Sequence, residues 1–382
     1  MKILHIYGHN YGGSFVLTQA RELKQLGHHV TVICPSEGPF SKQLQMIGVE
    51  YKVFDFQGSS IKSLFRISKA IIDIRNFIKN FQPDIIHCHL IKAIIVGRLS
   101  TIALNGINLV SELGGPLTLE DNKFRMLDLL TIYRDDHIIC SSSWIYNFYD
   151  KYQVTNGKKS LLHYAFDFER FTGFESKEYH RNDTENTIVF GMVSHLYNVK
   201  FKKFGNVGLK GHELLIQAVS LLKEYNLDFR FVIVGQDIDG GNKYLNELIR
   251  LTDTFGVAEK FEFVGHASDV NKYLHMFDVA IVPSLTENCG GAVEPLLLGK
   301  PVIASNTGGL PDVVIPGETG WLFKVGDSVE LSQAILLAYR TSAETRAEMG
   351  IRGNKLVDEL FEPKKNVIKL ISIYERILER TN

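Results

Sequence analysis

Short, wholly apolar runs alternate with helix-period stretches along this chain, stop, and then begin again. No other feature constrains the fold as strongly. In the first series, strands are predicted at residues 2–7, 29–34, 49–54, 84–88, 108–111 and 137–140, and helices at 14–26, 61–80 and 90–104. Such alternation predicts a parallel sheet with helices on both faces, and runs such as IIH and HIIC suit strands buried on both sides. The period fails at 172–186, TGFESKEYHRNDTEN, a polar stretch that reads as a linker. It resumes with strands at 187–193, 229–234, 261–264, 279–282 and 301–304 and helices at 212–225, 243–255 and near 292–298. An amphipathic helix follows at 364–379. A chain of 382 residues is too long for one ordinary core. The reading is therefore α/β: two doubly wound, Rossmann-like domains in sequence. Ligands of open α/β sheets bind beyond the carboxyl ends of the strands. Function should lie in the loops that follow strands, along a cleft where two such edges face.

Hydrophobic residues make up 45% and charged residues 22%, which excludes disordered, collagen-like and coiled-coil chains. The net charge of -1 gives no sign of a nucleic-acid partner. It conceals a basic first part, with 19 Lys and Arg against 15 Asp and Glu through residue 171, and an acidic remainder. Cys34, Cys88, Cys140 and Cys289 are too scattered for a zinc site or a disulfide framework, so a reducing, cytoplasmic setting is expected. The opening MKILHIYGHNYGG reads as a strand and loop, not a signal peptide, and no run has the length of a membrane span. The helix from Ser60 interleaves Lys62, Arg66, Lys69, Arg75 and Lys79 with Ile61, Leu64, Phe65, Ile71, Ile72 and Ile78. A helix of this kind either covers the sheet or lies on the inner face of an anionic membrane; the sheet's need for a cover favours the first.

Four stretches could carry chemistry. The loop GHNYGG at 8–13 joins the first strand to a helix, where Gly12 and Gly13 admit a close ligand and free helix amides attract an anion; a plain tight turn is the alternative. It has neither the G-x-G-x-x-G nor the Walker spacing. The loop LYNVKFKKFGNVGLKGH at 196–212 carries Lys200, Lys202, Lys203 and Lys210. Lys202 and Lys203 read as solvated, whereas Lys210, just before Gly211 and a helix, is placed for a phosphate. The stretch 283–304 sets Glu287 in a loop after a strand and Glu294 inside an apolar helix, separated by Gly290 and Gly291. An acid in apolar surroundings needs partners, and a carboxylate can accept from the paired hydroxyls of a ribose or hexose. Helix-dipole complementation and solvent exposure are the bland alternatives. The fourth stretch, His87-Cys88-His89, puts two histidines on one face of a strand; with no further ligand cluster in sight, no metal is expected there.

Taken together these stretches resemble retaining, GT-B-fold glycosyltransferases of the family-4, or group 1, type. The resemblance rests on Gly12-Gly13 and QARELKQLGHHVTVICP, on DIIHCHL and YAFDFERF, on Lys210-Gly211-His212, and on PSLTENCGGAVEPLLLGKPVIAS with NTGGLPDVV and GETGWLF. It implies an acceptor-side domain at 1–171, a linker at 172–186, a nucleotide-sugar domain at 187–360, and a C-terminal helix at 361–382 that returns to the first domain. It further implies that Glu287 holds donor hydroxyls, with backbone amides of Asn288, Cys289 and Gly290 beside it. Glu294 would bind the nucleotide ribose, Lys210 would neutralise the leaving diphosphate, and Gly13 would admit phosphates or acceptor.

Three departures stand out. Six residues, not seven, separate Glu287 from Glu294. Ser194-His195-Leu196 replaces Gly-Arg-Leu, so His195 or Lys200 would substitute for the guanidinium. The loop ELGGPLTLE lacks the family's His, leaving Glu112, Thr118 or Glu120 to face the sugar. The implied reaction moves a hexosyl unit from a UDP- or GDP-linked sugar to a saccharide or lipid-linked acceptor, with no metal or other cofactor and with peripheral membrane contact through the first domain. A nucleotide-sugar epimerase and an inactive sugar-binding subunit are the competing readings.

Overall fold

The computed structural model describes residues 1–58, 60–154, 157–171, 187–238 and 240–381. The chain forms two compact units, one of Met1–Phe168 with Leu360–Asn382 and one of Glu169–Glu359. The expected linker at 172–186 lies outside the described residues.

In the first unit the elements are β1 (Lys2–Tyr7), α1 (Ser14–Gln25), β2 (His29–Cys34), α2 (Pro39–Met46), β3 (Glu50–Val53), α3 (Ile61–Phe81), β4 (Ile85–His89), α4 (Ile91–Ser100), β5 (Leu109–Leu113), α5 (Leu117–Glu120), α6 (Asn122–Thr131), β6 (His137–Cys140), α7 (Ser143–Lys151) and β7 (Lys159–Leu161). The strands pair in parallel in the order β3-β2-β1-β4-β5-β6-β7. The order reverses between β1 and β4, the place at which ligands of open α/β sheets bind. The helix expected at 90–104 stops at Ser100, and Ala103 just beyond takes a left-handed φ of 63° that no α-helix accommodates.

The second unit contains β8 (Ile188–Val193), β9 (Lys200–Phe201), β10 (Val207–Gly208), α8 (His212–Ser220), β11 (Phe229–Val234), α9 (Lys243–Phe255), β12 (Phe261–Gly265), α10 (Asn271–Met276), β13 (Val279–Val282), α11 (Gly290–Leu297), β14 (Val302–Ser305), β15 (Gly320–Phe323), α12 (Ser328–Arg340) and most of α13 (Ala343–Phe361). Its six-stranded sheet is also parallel, ordered β12-β11-β8-β13-β14-β15, with the reversal between β8 and β13. The lysine-rich segment read as a loop contains a small antiparallel hairpin, β9 against β10. The helix expected at 212–225 ends at Ser220 and finishes as a separate turn over Lys223–Tyr225.

The last helix, α14 (Pro363–Thr381), belongs to the first unit. Val367, Leu370, Ile373, Tyr374 and Ile377 recur at helical spacing and are buried with Ile3, Val16, Ala20 and Val110. At roughly 2 kcal/mol for each apolar side chain buried, this stripe explains why the chain's end returns to the first sheet.

Candidate active site

In the second unit, the segments beyond the carboxyl ends of β8, β11, β12 and β13 converge on a cavity of about 610 Å³. Its lining includes His195 and Tyr197 after β8, Gln236 after β11, His266 and Asp269 after β12, and Gly290, Gly291 and Glu294 at the start of α11. Lys210 enters it from the turn before α8. That turn requires glycine: Gly211 has φ 75°, and a Cβ there would lie 2.0 Å from the Pro283 carbonyl oxygen. The close approach fixes Lys210 against the segment that carries Glu287.

The Lys210 ammonium donates to Glu287 Oε2, and the Ser284 hydroxyl donates to the same oxygen at 3.2 Å. Burial alone would push the Lys210 pKa down, but the Glu287 carboxylate beside it more than reverses this and leaves the pKa raised. Glu294 stands in the opposite condition. Burial raises its pKa, and the positive charges of Arg170 and Lys210 offset that only in part. A carboxyl destabilised in this way gains from hydrogen-bond donors such as paired hydroxyls. The site thus presents a charged Lys–Glu pair and a second carboxyl that still wants partners.

Not every expected residue reaches the cavity. Lys200 is engaged elsewhere: its ammonium donates to Glu213 and to Glu247, the latter at 3.0 Å, and it sits 4.5 Å from the Tyr244 ring centroid. These contacts pin the β9–β10 hairpin to α8 and α9, and Lys200 is not among the lining residues. Lys202 and Lys203 are solvent-exposed, as expected. Asn288 and Cys289 are buried behind the lining, with Cys289 at the amino end of α11. Arg170, Tyr197, Gln236, His266, Asp269 and Asn271 escaped the sequence reading. For Gln236 and His266 the signal was present, since both follow strands that had been placed correctly.

In the first unit Gly12 and Gly13 both take left-handed conformations, with φ 63° and 74°. The space where a Gly13 side chain would sit is filled by the rings of Tyr7 and Phe40, 2.7 and 2.8 Å from a Cβ. Packing and backbone geometry therefore account for this glycine without a ligand. Glu112 does not face an acceptor. It lies at 1% exposure on β5, 3.3 Å from His87 Nε2 and 3.0 Å from His89 Nδ1, and accepts from Gln19 Nε2 at 3.1 Å. Although burial opposes its charge, the two histidines hold its pKa down to about 2. Of the three candidates in that segment, Thr118 is half-buried and Glu120 is exposed.

The same cluster contains a histidine that sequence distance concealed. Parallel pairing sets His5 on β1 opposite His87 on β4, and His5, His87 and His89 gather with their nitrogens within 4.8 Å of one another. His5 Nδ1 and His89 Nε2 are 2.7 Å apart, and His87 Nδ1 meets the Tyr374 hydroxyl at 2.7 Å. Two nitrogens on one tetrahedral zinc ion stand about 3.3 Å apart, given bonds of 2.0–2.1 Å. The His5–His89 contact has the length of a hydrogen bond.

Two Rossmann-like units in sequence, each a parallel sheet with one reversal of strand order, are the architecture of the GT-B fold. Comparison with known proteins agrees. Residues 12–170 match the family "Glycosyltransferase Family 4" and residues 204–356 match "Glycosyl transferases group 1". The putative glycosyltransferase EpsD of Bacillus subtilis is 23% identical over 96% of this chain and 94% of its own. An uncharacterized glycosyltransferase of Methanocaldococcus jannaschii is 27% identical over 76% of this chain and 81% of its own. Among solved structures, Anabaena HepE in complex with UDP superposes with a TM-score of 0.82 at 20% identity, covering 98% of this chain and all of the other. The sucrose-phosphate synthase of Thermosynechococcus elongatus gives 0.79 at 18% identity over the full length of both. The chain belongs to the group 1 glycosyltransferases of GT-B fold.

Proposed function

We propose that this glycosyltransferase moves a hexosyl unit from a UDP- or GDP-linked sugar to a hydroxyl of a saccharide or lipid-linked saccharide, with retention of configuration and without a metal cofactor. The observation that carries the reading is the cavity at the carboxyl edge of the second sheet, where the Lys210–Glu287 pair stands with an under-partnered Glu294. Glu294 accepts from the ribose hydroxyls. Glu287 accepts from hydroxyls of the sugar and orients it. Lys210 meets the diphosphate as negative charge grows on it during departure, which stabilises the transition state more than the ground state. The anomeric carbon becomes oxocarbenium-like, and attack comes from the face that the diphosphate leaves. Thr118 and Glu120 of the first unit are the proposed acceptor contacts. HepE, the relative crystallised with UDP, supports the choice of a nucleotide donor.

Membrane contact is part of the same proposal. Among the described residues no helix is long and apolar enough to cross a membrane. However, α3 turns Leu64 (59% exposed), Phe65 (78%) and Ile72 (55%) to solvent beside exposed Arg66 and Lys69. These apolar groups lie off the stripe that covers the sheet, and such a surface suits an anionic bilayer. The test of the donor reading is calorimetry and turnover with UDP- and GDP-sugars. Lys210→Ala should lower kcat/KM by on the order of 10²-fold or more, while chelator leaves the rate unchanged. Unaltered turnover in the variant would refute the role of Lys210. Donor isomerisation without acceptor would establish the epimerase reading, and nucleotide-sugar binding without transfer the inactive one.

A further inference from the structure

The cavity's charges do not balance for a diphosphate if Lys210 acts alone. Its ammonium already faces the Glu287 carboxylate, and Glu294 and Asp269 add two more acids to the same walls. The Lys210 charge is matched by Glu287, and the acids of the lining itself are Glu294 and Asp269, so Lys210 alone offers no surplus positive charge to a ligand with at least two negative charges. A further fixed cation is required.

Arg170 is that cation by position. It lies in the turn Phe168–Phe171 and lines the cavity together with Lys210 and Glu294. Its main chain is held: the Asn271 side-chain amide donates to the Arg170 carbonyl at 2.8 Å, and the Phe171 ring beside it is 5% exposed. Its side chain is left free. Among the described residues the guanidinium makes no ion pair, and it rests 5.6 Å from the Phe171 centroid. Its charge is nonetheless felt inside the site, where it is the foremost influence holding down the pKa of the buried Glu294. An anchored backbone, an uncommitted guanidinium and a nearby acidic pocket describe a group waiting for an anion.

We propose that Arg170 is the second diphosphate-binding cation of this enzyme. The planar fork of a guanidinium can donate two parallel hydrogen bonds to phosphate oxygens, which a lysine cannot. Lys210 and Arg170 then hold the diphosphate from two sides, and Glu294 is left to the ribose. This rests on the donor reading above and adds a residue from outside the strand loops. It also makes the segment just before 172–186 part of the donor site.

The experiment is calorimetry of wild type, Arg170→Gln and Arg170→Lys with UDP, GDP and the matching nucleosides, uridine and guanosine. For whichever base binds wild type, Arg170→Gln should weaken the diphosphate about tenfold or more, as loss of a charge-assisted hydrogen bond to a charged group predicts. Nucleoside affinity should stay within about twofold, and Arg170→Lys should recover only part of the loss. The salt dependence of diphosphate affinity should become shallower in Arg170→Gln. Equal diphosphate affinity in wild type and Arg170→Gln overturns the proposal, as does an equal loss for nucleoside and diphosphate. Failure of wild type to bind any nucleoside diphosphate overturns the donor reading itself, a result distinct from either of these.

Discussion

Replacing Glu287 by glutamine tests whether the Lys210–Glu287 pair is a catalytic arrangement or merely a structural one. Size and shape are kept and the charge is lost. Lys210 is then left with a neutral amide in place of the carboxylate, and with Glu294 as a further source of negative potential. Breaking a fully buried pair costs roughly 3–5 kcal/mol. Here the two side chains are 20% and 14% exposed, so solvent reduces the loss to about 2 kcal/mol. In a domain the size of the second unit, 1 kcal/mol moves Tm by roughly 2–4 °C. The ligand-free Tm of E287Q should therefore fall by roughly 4–8 °C. A nucleoside diphosphate supplies the missing negative charge, so UDP or GDP should bind at least as tightly as to wild type and raise Tm by a larger increment. Turnover should still fall by on the order of 10²-fold, because the sugar loses an ionised acceptor at its hydroxyls. Scanning fluorimetry, calorimetry and a donor-consumption assay read these three quantities. Weaker diphosphate binding together with an unchanged ligand-free Tm would show that Lys210 does not depend on Glu287, and the reasoning would fail.

Acid should destabilise the fold well before the carboxylates of the unfolded chain are protonated. Burial lowers the pKa of His87 and of His212 from 6.5 to about 4, so between these values the unfolded chain binds protons that the native state refuses. Their contribution is complete above pH 6.5 and is lost as pH falls toward 4, at about 2 kcal/mol each by pH 5. Asp135 and Glu294 act in the opposite sense, burial raising both, Asp135 to about 6, but His137, its pKa likewise lowered by burial to about 4, adds to the loss. Thermal unfolding followed by circular dichroism should show Tm dropping from pH 6.5 to 4.5; a flat or rising profile contradicts this. For the membrane surface, Phe65→Ser should reduce co-flotation with phosphatidylglycerol vesicles and leave turnover of a soluble acceptor intact. Equal flotation of the two proteins removes α3 from the proposal.

The fold was legible because parallel strands buried on both faces leave an unmistakable mark, and β1, β2, β6, β11 and β13 begin and end where their apolar runs do. Some elements escaped notice because their apolar residues do not face one side. On α6, Met126, Leu127 and Leu130 are exposed, so no periodic stripe distinguishes it. The β9–β10 hairpin has two residues per strand and owes its form to the Lys200 ammonium on Glu213 and Glu247, contacts that no local pattern announces. Lys200 and Lys210 belong to one glycine-rich stretch, and the sequence singles out Lys210 by the helix that follows it while leaving Lys200 as a possible substitute for the guanidinium. The difference between them is topological: one opens a hairpin strand and meets α8 and α9, the other precedes a helix and meets the strand-end loop of β13.

The three acids show the same limit more sharply. Glu112 is buried and Glu287 and Glu294 are half-buried, and the rule that a carboxylate withdrawn from water needs partners applies to each. The rule does not say which partners. For Glu112 they are Gln19, His87 and His89, brought from α1 and β4, and they satisfy it within the protein. For Glu287 they are Lys210 and Ser284, a pair open to the cavity through the lysine. For Glu294 the protein supplies only distant positive charge. A carboxylate that the fold satisfies is structural. One that the fold leaves wanting, at the rim of a cavity and at the reversal point of a parallel sheet, is where a substrate must complete the hydrogen bonding. By that criterion the functional acid is recognised by what it lacks, and this can be seen only after the chain has brought every other candidate partner to its place.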